Sequence, residues 1–241
     1  MNVVSRTHVG NVRPSNQDTL LIQPGLYGLF GVADGMGGHK AGDVASQMAV
    51  AHLSRALDGK KPDEKLLRNG MEEANRILFE EQKNNVDLSG MGTTFTVIWE
   101  DEDRILLGHV GDSRAYLLRE GHLRQVTQDH SMVADMVRRG LLTEEQASTH
   151  PMRNYITRAV GTEPTIQADI LSLERQAGDQ WLVCSDGLHG LLSREDLERL
   201  MTEPNLEEAA DEMLRLALDR GGRDNISLLL AREDQAGEVA E

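Results

Sequence analysis

The sequence predicts an α+β fold built on antiparallel sheet. Helical periodicity falls in two regions, 41–84 and 193–220, each lying between blocks of adjacent strand-like runs. Links between consecutive strands, at 100–103, 111–113 and 120–121, are too short for the crossovers that parallel strands need. No βαβ alternation, internal repeat or low-complexity tract divides the 241 residues, so one domain is expected over 1–232, with a polar tail at 233–241.

Residues 3–9 alternate loosely and read as a short strand. A polar loop follows, carrying Arg13, Asn16, Gln17 and Asp18. Residues 19–22 and 26–33 are the next strands, the latter ending on Asp34 before Gly35, Gly37 and Gly38. From Ala41 the period changes. Val44, Ala45, Met48, Ala49, Leu53, Ala56 and Leu57 recur at helical spacing, so a helix is expected over 41–57. Pro62 suits the start of a second helix, which fades near Asn84.

Residues 93–99, 104–110, 114–119 and 123–126 then read as an antiparallel meander. Residues 131–149 are helical but less regular, with Thr143 and Gln146 spaced as a capping box, and form an excursion from the sheets. Strands are expected at 166–173 and 180–184. Ser193 caps a short helix to Met201, and 206–220 forms a longer one that Gly221-Gly222 ends. The last strand is 226–231.

Composition excludes several function classes. A 39% hydrophobic and 27% charged chain is that of a soluble globular protein. A net charge of −15 disfavours nucleic-acid and anionic-membrane partners, and 3% aromatics leave few platforms for base stacking. Cys184 is the one cysteine, so no intrachain disulfide forms. No apolar run reaches the length of a membrane span, and a cytoplasmic protein is expected.

The chemistry concentrates at strand junctions. Asp34 follows LFGVA, Asp112 follows LLGHVG, Asp186 follows WLVCS, and Asp224 precedes NISLLL. Taken singly, each is a turn aspartate. Together they suggest one carboxylate-rich rim, because antiparallel neighbours place the end of one strand beside the start of the next. Converging carboxylates either hold protons or bind cations. An all-oxygen set favours Mg²⁺ or Mn²⁺ over Zn²⁺. Two such ions roughly 4 Å apart can hold a hydroxide and stabilise displacement at phosphorus. Asp34 could bridge them, the Gly35 carbonyl could join, and Arg13 offers a planar fork for phosphate oxygens.

Competing chemistries fail on spacing. A cysteine-phosphatase reading of Cys184 needs an arginine six positions on, where Gly190 stands. Residues 111–115 lack the second glycine of a nucleophile elbow. The run at Gly35 fits neither GxxxxGK[ST] nor GxGxxG. Asp129-His130 is not spaced for zinc and suits the cap of a helix at Ser131.

Eight segments in order resemble the type 2C metal-dependent protein phosphatases (the PPM family) in their compact bacterial form. They are Arg13 with Asn16-Gln17-Asp18; Asp34-Gly35-Met36-Gly37-Gly38-His39; Gly92-Thr93-Thr94; and Val110-Gly111-Asp112-Ser113-Arg114. Thr127 with Asp129-His130-Ser131, Ile156-Thr157-Arg158-Ala159 with Gly161, Cys184-Ser185-Asp186-Gly187-Leu188, and Arg223-Asp224-Asn225-Ile226-Ser227 complete the set.

The resemblance implies a four-layer α-β-β-α sandwich, with two antiparallel sheets flanked by helix pairs. It implies hydrolysis of phosphoserine and phosphothreonine in proteins by a metal-bridged hydroxide, in opposition to a bacterial serine/threonine kinase. By match, Asp34 bridges two Mn²⁺ or Mg²⁺ ions and the Gly35 carbonyl joins the first. Asp186 and Asp224 hold the second, and Asp112 with Asp186 a weaker third. Asp18 supports the metal waters and Arg13 binds phosphate. Residues 132–155 match a flap beside the site, where substrate selection is expected. Two departures stand out: Gln17 replaces a frequent Glu, and Met36 stands where many eukaryotic members carry a general-acid histidine. His39 is then the nearby candidate acid. The expected partners are phosphorylated proteins, and the expected state is a monomer.

Overall fold

A computed structural model describes residues 1–37 and 41–233. His39 and the tail beyond 233 lie outside the described residues. Among the described residues, eleven strands form two antiparallel sheets. The first, in the order β1-β11-β10-β7-β8, uses Asn2–His8 (β1), Arg114–Arg119 (β7), His122–Gln125 (β8), Gln180–Cys184 (β10) and Ile226–Arg232 (β11). The second, in the order β2-β3-β5-β6-β9, uses Asp18–Gln23 (β2), Leu29–Met36 (β3), Phe95–Glu100 (β5), Arg104–Val110 (β6) and Asp169–Glu174 (β9). The two-residue β4, Gly92–Thr93, extends this sheet beside β3.

Alternate strand residues go to different cores, and that alternation creates the layers. Phe30, Val32, Ile98 and Leu107 of the second sheet meet Leu117, Trp181, Val183 and Leu229 of the first in a central core. Their neighbours Leu29, Ala33, Val97 and Trp99 point outward, against Ala45, Ala49 and Leu53 of α1 (Ala41–Leu57) and Leu67, Met71 and Leu78 of α2 (Glu64–Asn84). On the opposite outside, Leu182, Cys184, Leu228 and Leu230 pack on α6 (Arg194–Met201) and α7 (Leu206–Asp219) through Leu197, Leu200, Ala210 and Met213. Both faces of the central strands are therefore covered, and these strands read as near-continuous apolar runs, while the edge strands β8 and β9 stay largely exposed.

Local chemistry sets the helix ends. The Asp63 carboxylate accepts from the N–H groups of Lys65 and Leu66, so α2 starts at Glu64 rather than at Pro62. Capping boxes at Thr143–Gln146 and Ser193–Asp196 open α4 (Glu144–Thr149) and α6. Before α4, Ser131 caps α3 (Met132–Arg138). The excursion carrying α3 and α4 is closed at its base by the Ser131–Ile156 bridge.

Other expectations change: the strand expected at 166–173 runs from Asp169 to Glu174. The strand expected to stop before Asp34 continues to Met36, because Gly35 and Met36 find partners in Thr93 and Gly92. The expected meander is split. β6 pairs with β5 and β9, β7 pairs with β8 and β10, and the turn 111–113 carries the chain from one sheet to the other. Short links exclude a parallel crossover but do not require that consecutive strands pair. Finally, Asp186–His189 forms a one-turn helix, α5, that apolar periodicity is too short to reveal.

Candidate metal and phosphate site

The expected aspartates meet at one end of the sandwich. Asp18 and Asp34 stand directly opposite each other across β2 and β3. Asp186 leaves the end of β10 and Asp224 precedes the start of β11, two strands that pair antiparallel from Cys184 opposite Leu228. Asp112 sits in the turn between the sheets. The Asp34 carboxyl is pushed well above the usual carboxylate range, by burial first and then by the charges of Asp18, Asp186, Asp112 and Asp224. Burial, then the charges of Asp186 and Asp129, pushes Asp112 up to about 8. Asp18 and Asp186 are raised for the same reason, burial ahead of neighbouring charge.

Small side chains bind the rim together, and sequence reading assigns them no such role. Ser185 Oγ donates to Asp18 Oδ2 at 2.8 Å and accepts from the Ser227 N–H at 3.0 Å, joining the two sheets. Thr94 Oγ1 accepts from the Asp34 N–H at 3.0 Å and bonds Ser113 Oγ at 2.8 Å, which ties β3 to the turn carrying Asp112. His189 is held neutral by burial, its pKa lowered to about 3, and its Nε2–H donates to the Asp112 carbonyl at 3.0 Å. Ser113 and Ser185 flank aspartates and fall within the segments that carry the resemblance, but neither signal names their hydrogen-bond partners.

The glycines after two of the aspartates serve packing. A Cβ on Gly35 would lie 2.0 Å from the Gly42 carbonyl oxygen, and one on Gly187 would lie 1.9 Å from that of Asn225. Each Asp-Gly pair thus brings another segment's backbone against the rim. For Gly35 this is a use beyond the expected exposure of its carbonyl.

Arg13 reaches the cluster. Its Nη2 donates to Asp224 Oδ2 at 2.6 Å while about half of the side chain stays exposed (51%). Asp129-His130, expected only as a cap, is engaged elsewhere. Asp129 receives a forked contact from Arg114, and His130 Nδ1 accepts from the Gly111 N–H at 3.0 Å.

The donor set suits hard divalent cations. Among the described residues, no three His, Cys, Asp or Glu side chains already close around a point as an ion-holding group. Yet Asp18 Oδ1, Asp112 Oδ1 and Asp186 Oδ1 are buried and have no hydrogen-bond partner. Unpaired buried carboxylate oxygens facing shared negative charge call for a counter-cation. Arg13 supplies one positive charge, bonded to Asp224 and felt by Asp186 and Asp34.

Residues 6–231 match the protein phosphatase 2C family. The serine/threonine phosphatase stp of Listeria monocytogenes is 37% identical over 243 residues, covering 97% of this chain and 96% of that protein. PstP of Mycobacterium tuberculosis is 38% identical over 234 residues, covering 96% of this chain and 45% of that longer protein. A crystal structure of the Mycobacterium tuberculosis phosphatase PstP/Ppp superposes with a TM-score of 0.91 at 37% identity, covering 97% of this chain and 99% of that one. A PstP catalytic-domain structure in complex with two manganese ions gives 0.86 at 35% identity, covering 95% of this chain and 96% of that one. The chain belongs to the protein phosphatase 2C family. It is a serine/threonine protein phosphatase of the compact bacterial form. Among the described residues, no helix is long and apolar enough to cross a membrane.

Proposed function

We propose that the chain removes phosphate from phosphoserine and phosphothreonine in proteins, using two Mn²⁺ or Mg²⁺ ions held at the aspartate rim. Asp34, Asp186 and Asp224 would be the principal ligands, joined by the Gly35 carbonyl. Asp112 with Asp186 would offer a third, weaker place, and Asp18 would support the surrounding waters. When bound, the ions supply Lewis-acid activation of water and neutralise charge at the phosphoryl group. Arg13 orients the phosphate through its planar fork. Residues 132–155 contribute to substrate selection. The biological role is to oppose a bacterial serine/threonine kinase.

The observation that carries this reading is the set of unpaired buried oxygens on Asp18, Asp112 and Asp186 around the strongly perturbed Asp34. A structural scaffold gains nothing from keeping such charge together, whereas a cation site requires it.

The test is turnover of a phosphothreonine peptide with Mn²⁺, Mg²⁺, Ca²⁺ or chelator. The expected result is turnover with Mn²⁺ or Mg²⁺ and none with chelator. Turnover that persists in chelator would overturn the metal reading. Faster turnover of a small phosphoester than of any phosphopeptide would overturn the protein-substrate reading.

A further inference from the structure

Arg13 sits in a polar loop with no regular structure, yet its head must reach one place on the rim. At its end the Gln17 carbonyl accepts from the Gly35 N–H and Ser46 Oγ, and Asn16 donates to Thr7 Oγ1, while two asparagines anchor the stretch on either side of Arg13. Asn225 is almost wholly buried, and all three hydrogen bonds of its side chain go to the backbone around Arg13. Its Nδ2 donates to the carbonyls of Val9 and Ser15, each at 2.9 Å. Its Oδ1 accepts from the Gln17 N–H at 2.8 Å. The same residue's N–H donates to Asp224 Oδ1 at 2.9 Å, while Arg13 donates to Asp224 Oδ2. One dipeptide therefore holds both the root of the loop and the tip of its arginine.

Asn11 supplies the second anchor. Its Nδ2 donates to the Leu218 and Gly221 carbonyls at 2.9 and 3.2 Å, at the end of α7, and its N–H donates to the Gly222 carbonyl at 2.7 Å. Gly10, between the anchors, passes so close to the 224 segment that a Cβ there would lie 2.2 Å from the Asp224 carbonyl oxygen.

We propose that Asn225 is a positioning residue for phosphate binding: with Asn11 it clamps loop 9–17 so that the Arg13 fork is fixed beside Asp224. This rests on the phosphate role of Arg13. An arginine side chain has large rotamer freedom, and a fixed root limits what must be lost when it grips. The position requires an amide. Two donors and one acceptor are used, and a carboxylate would set an oxygen against the Val9 and Ser15 carbonyls.

The test is steady-state kinetics of the Mn²⁺-loaded full chain on p-nitrophenyl phosphate and a phosphothreonine peptide. The variants are Asn225→Ala, Asn225→Asp, Asn11→Ala, Arg13→Ala and each asparagine variant combined with Arg13→Ala. Losing two or three net hydrogen bonds should raise KM about tenfold in either Asn225 variant, with kcat changed less than about twofold. Asn11→Ala, at an exposed side chain, should raise KM about threefold. In the Arg13→Ala background each added effect should shrink below about twofold, because the clamp acts through the arginine. An Asn225 effect that multiplies in full with Arg13→Ala, a fall in kcat at unchanged KM, or wild-type KM in Asn225→Asp overturns the clamp. Should the Asn225 variants fail to fold, the Asn11→Ala and Arg13→Ala cycle decides by the same criterion. An unchanged KM in Arg13→Ala alone overturns the phosphate role of Arg13 itself, a separate failure.

Discussion

Asp18 and Asp34 face each other across β2 and β3 with no residue between them in the register. Directly opposed like charges destabilise an antiparallel pair. Ser185 relieves part of this by donating to one oxygen of Asp18, and burial with neighbouring charge raises both carboxyls so that they hold protons more readily.

Asp34→Asn and Asp186→Asn should therefore act with opposite signs on activity and on metal-free stability. Each should abolish most turnover of a phosphothreonine peptide. In chelator, each should leave the protein as stable as wild type or more so, by about 1 kcal/mol, because a like charge has been removed from a buried cluster. Activity assays paired with denaturant melts in chelator check both signs. Unchanged turnover in either variant would sink the ligand assignment.

Arg13→Ala removes a charge-assisted contact worth about 1.5–3 kcal/mol to a phosphate. KM for a small phosphoester should rise about tenfold or more. A KM unchanged within error would place the guanidinium outside substrate binding and leave it as a partner of Asp224 alone.

Chelation should lower the melting temperature, and Mn²⁺ should restore it. A ligand that binds only the folded state at a hundredfold excess over its Kd adds about 2.7 kcal/mol. Scanning calorimetry across a Mn²⁺ titration reads this directly. A melting temperature independent of Mn²⁺ would contradict a cation site at the rim.

Gly187→Ala should be severe although it removes nothing. The new Cβ would fall 1.9 Å from the Asn225 carbonyl oxygen, which is backbone and cannot swing away. Forcing Asp186 and the 224–225 segment apart should cost about 3 kcal/mol or more and disable the site. A urea melt and a peptide assay measure the two effects. A variant with wild-type stability would show that the segments separate freely.

Acid stability should depend in part on His109, which lies outside the rim and feels the charges of Asp129 and Asp169. Its ring is fixed by Thr96 Oγ1 at 2.9 Å and the Gln128 carbonyl at 3.0 Å. Burial first, then the nearby His130, pushes its pKa down to about 4. The unfolded ring takes a proton near about 6.5, so between these values the unfolded chain binds more protons. The contribution is fully present above about pH 6.5 and lost as pH falls toward 4, up to about 3 kcal/mol. In chelator, His109→Gln should lessen the loss of stability in that window, leaving the share due to His189, whose pKa burial lowers to about 3. An unaltered slope would assign the acid sensitivity to other groups.

The sequence by itself determined most of the architecture and the members of the rim. Helical spacing from Val44 to Leu57 reproduces α1 from Ala41 to Leu57, and the apolar runs at Arg104–Val110, Arg114–Arg119 and Gln180–Cys184 reproduce three strands end to end. These signals are legible because burial on a repeating face leaves a period in the chain. The strand-end aspartates were legible because a charge that interrupts an apolar run marks where the sheet meets its rim.

Tertiary structure decided what periodicity does not encode. Only pairing carried β3 past Asp34, since Gly35 and Met36 needed Gly92 and Thr93, dozens of residues away in the chain, to become strand. Only the third dimension sent β6 and β7 to different sheets, because a three-residue turn permits either outcome. The same holds for Ser185 on Asp18, Thr94 on Ser113 and Asn225 on loop 9–17. Such hydrogen bonds join small polar residues far apart in sequence, and nothing in their own neighbourhood marks the partner.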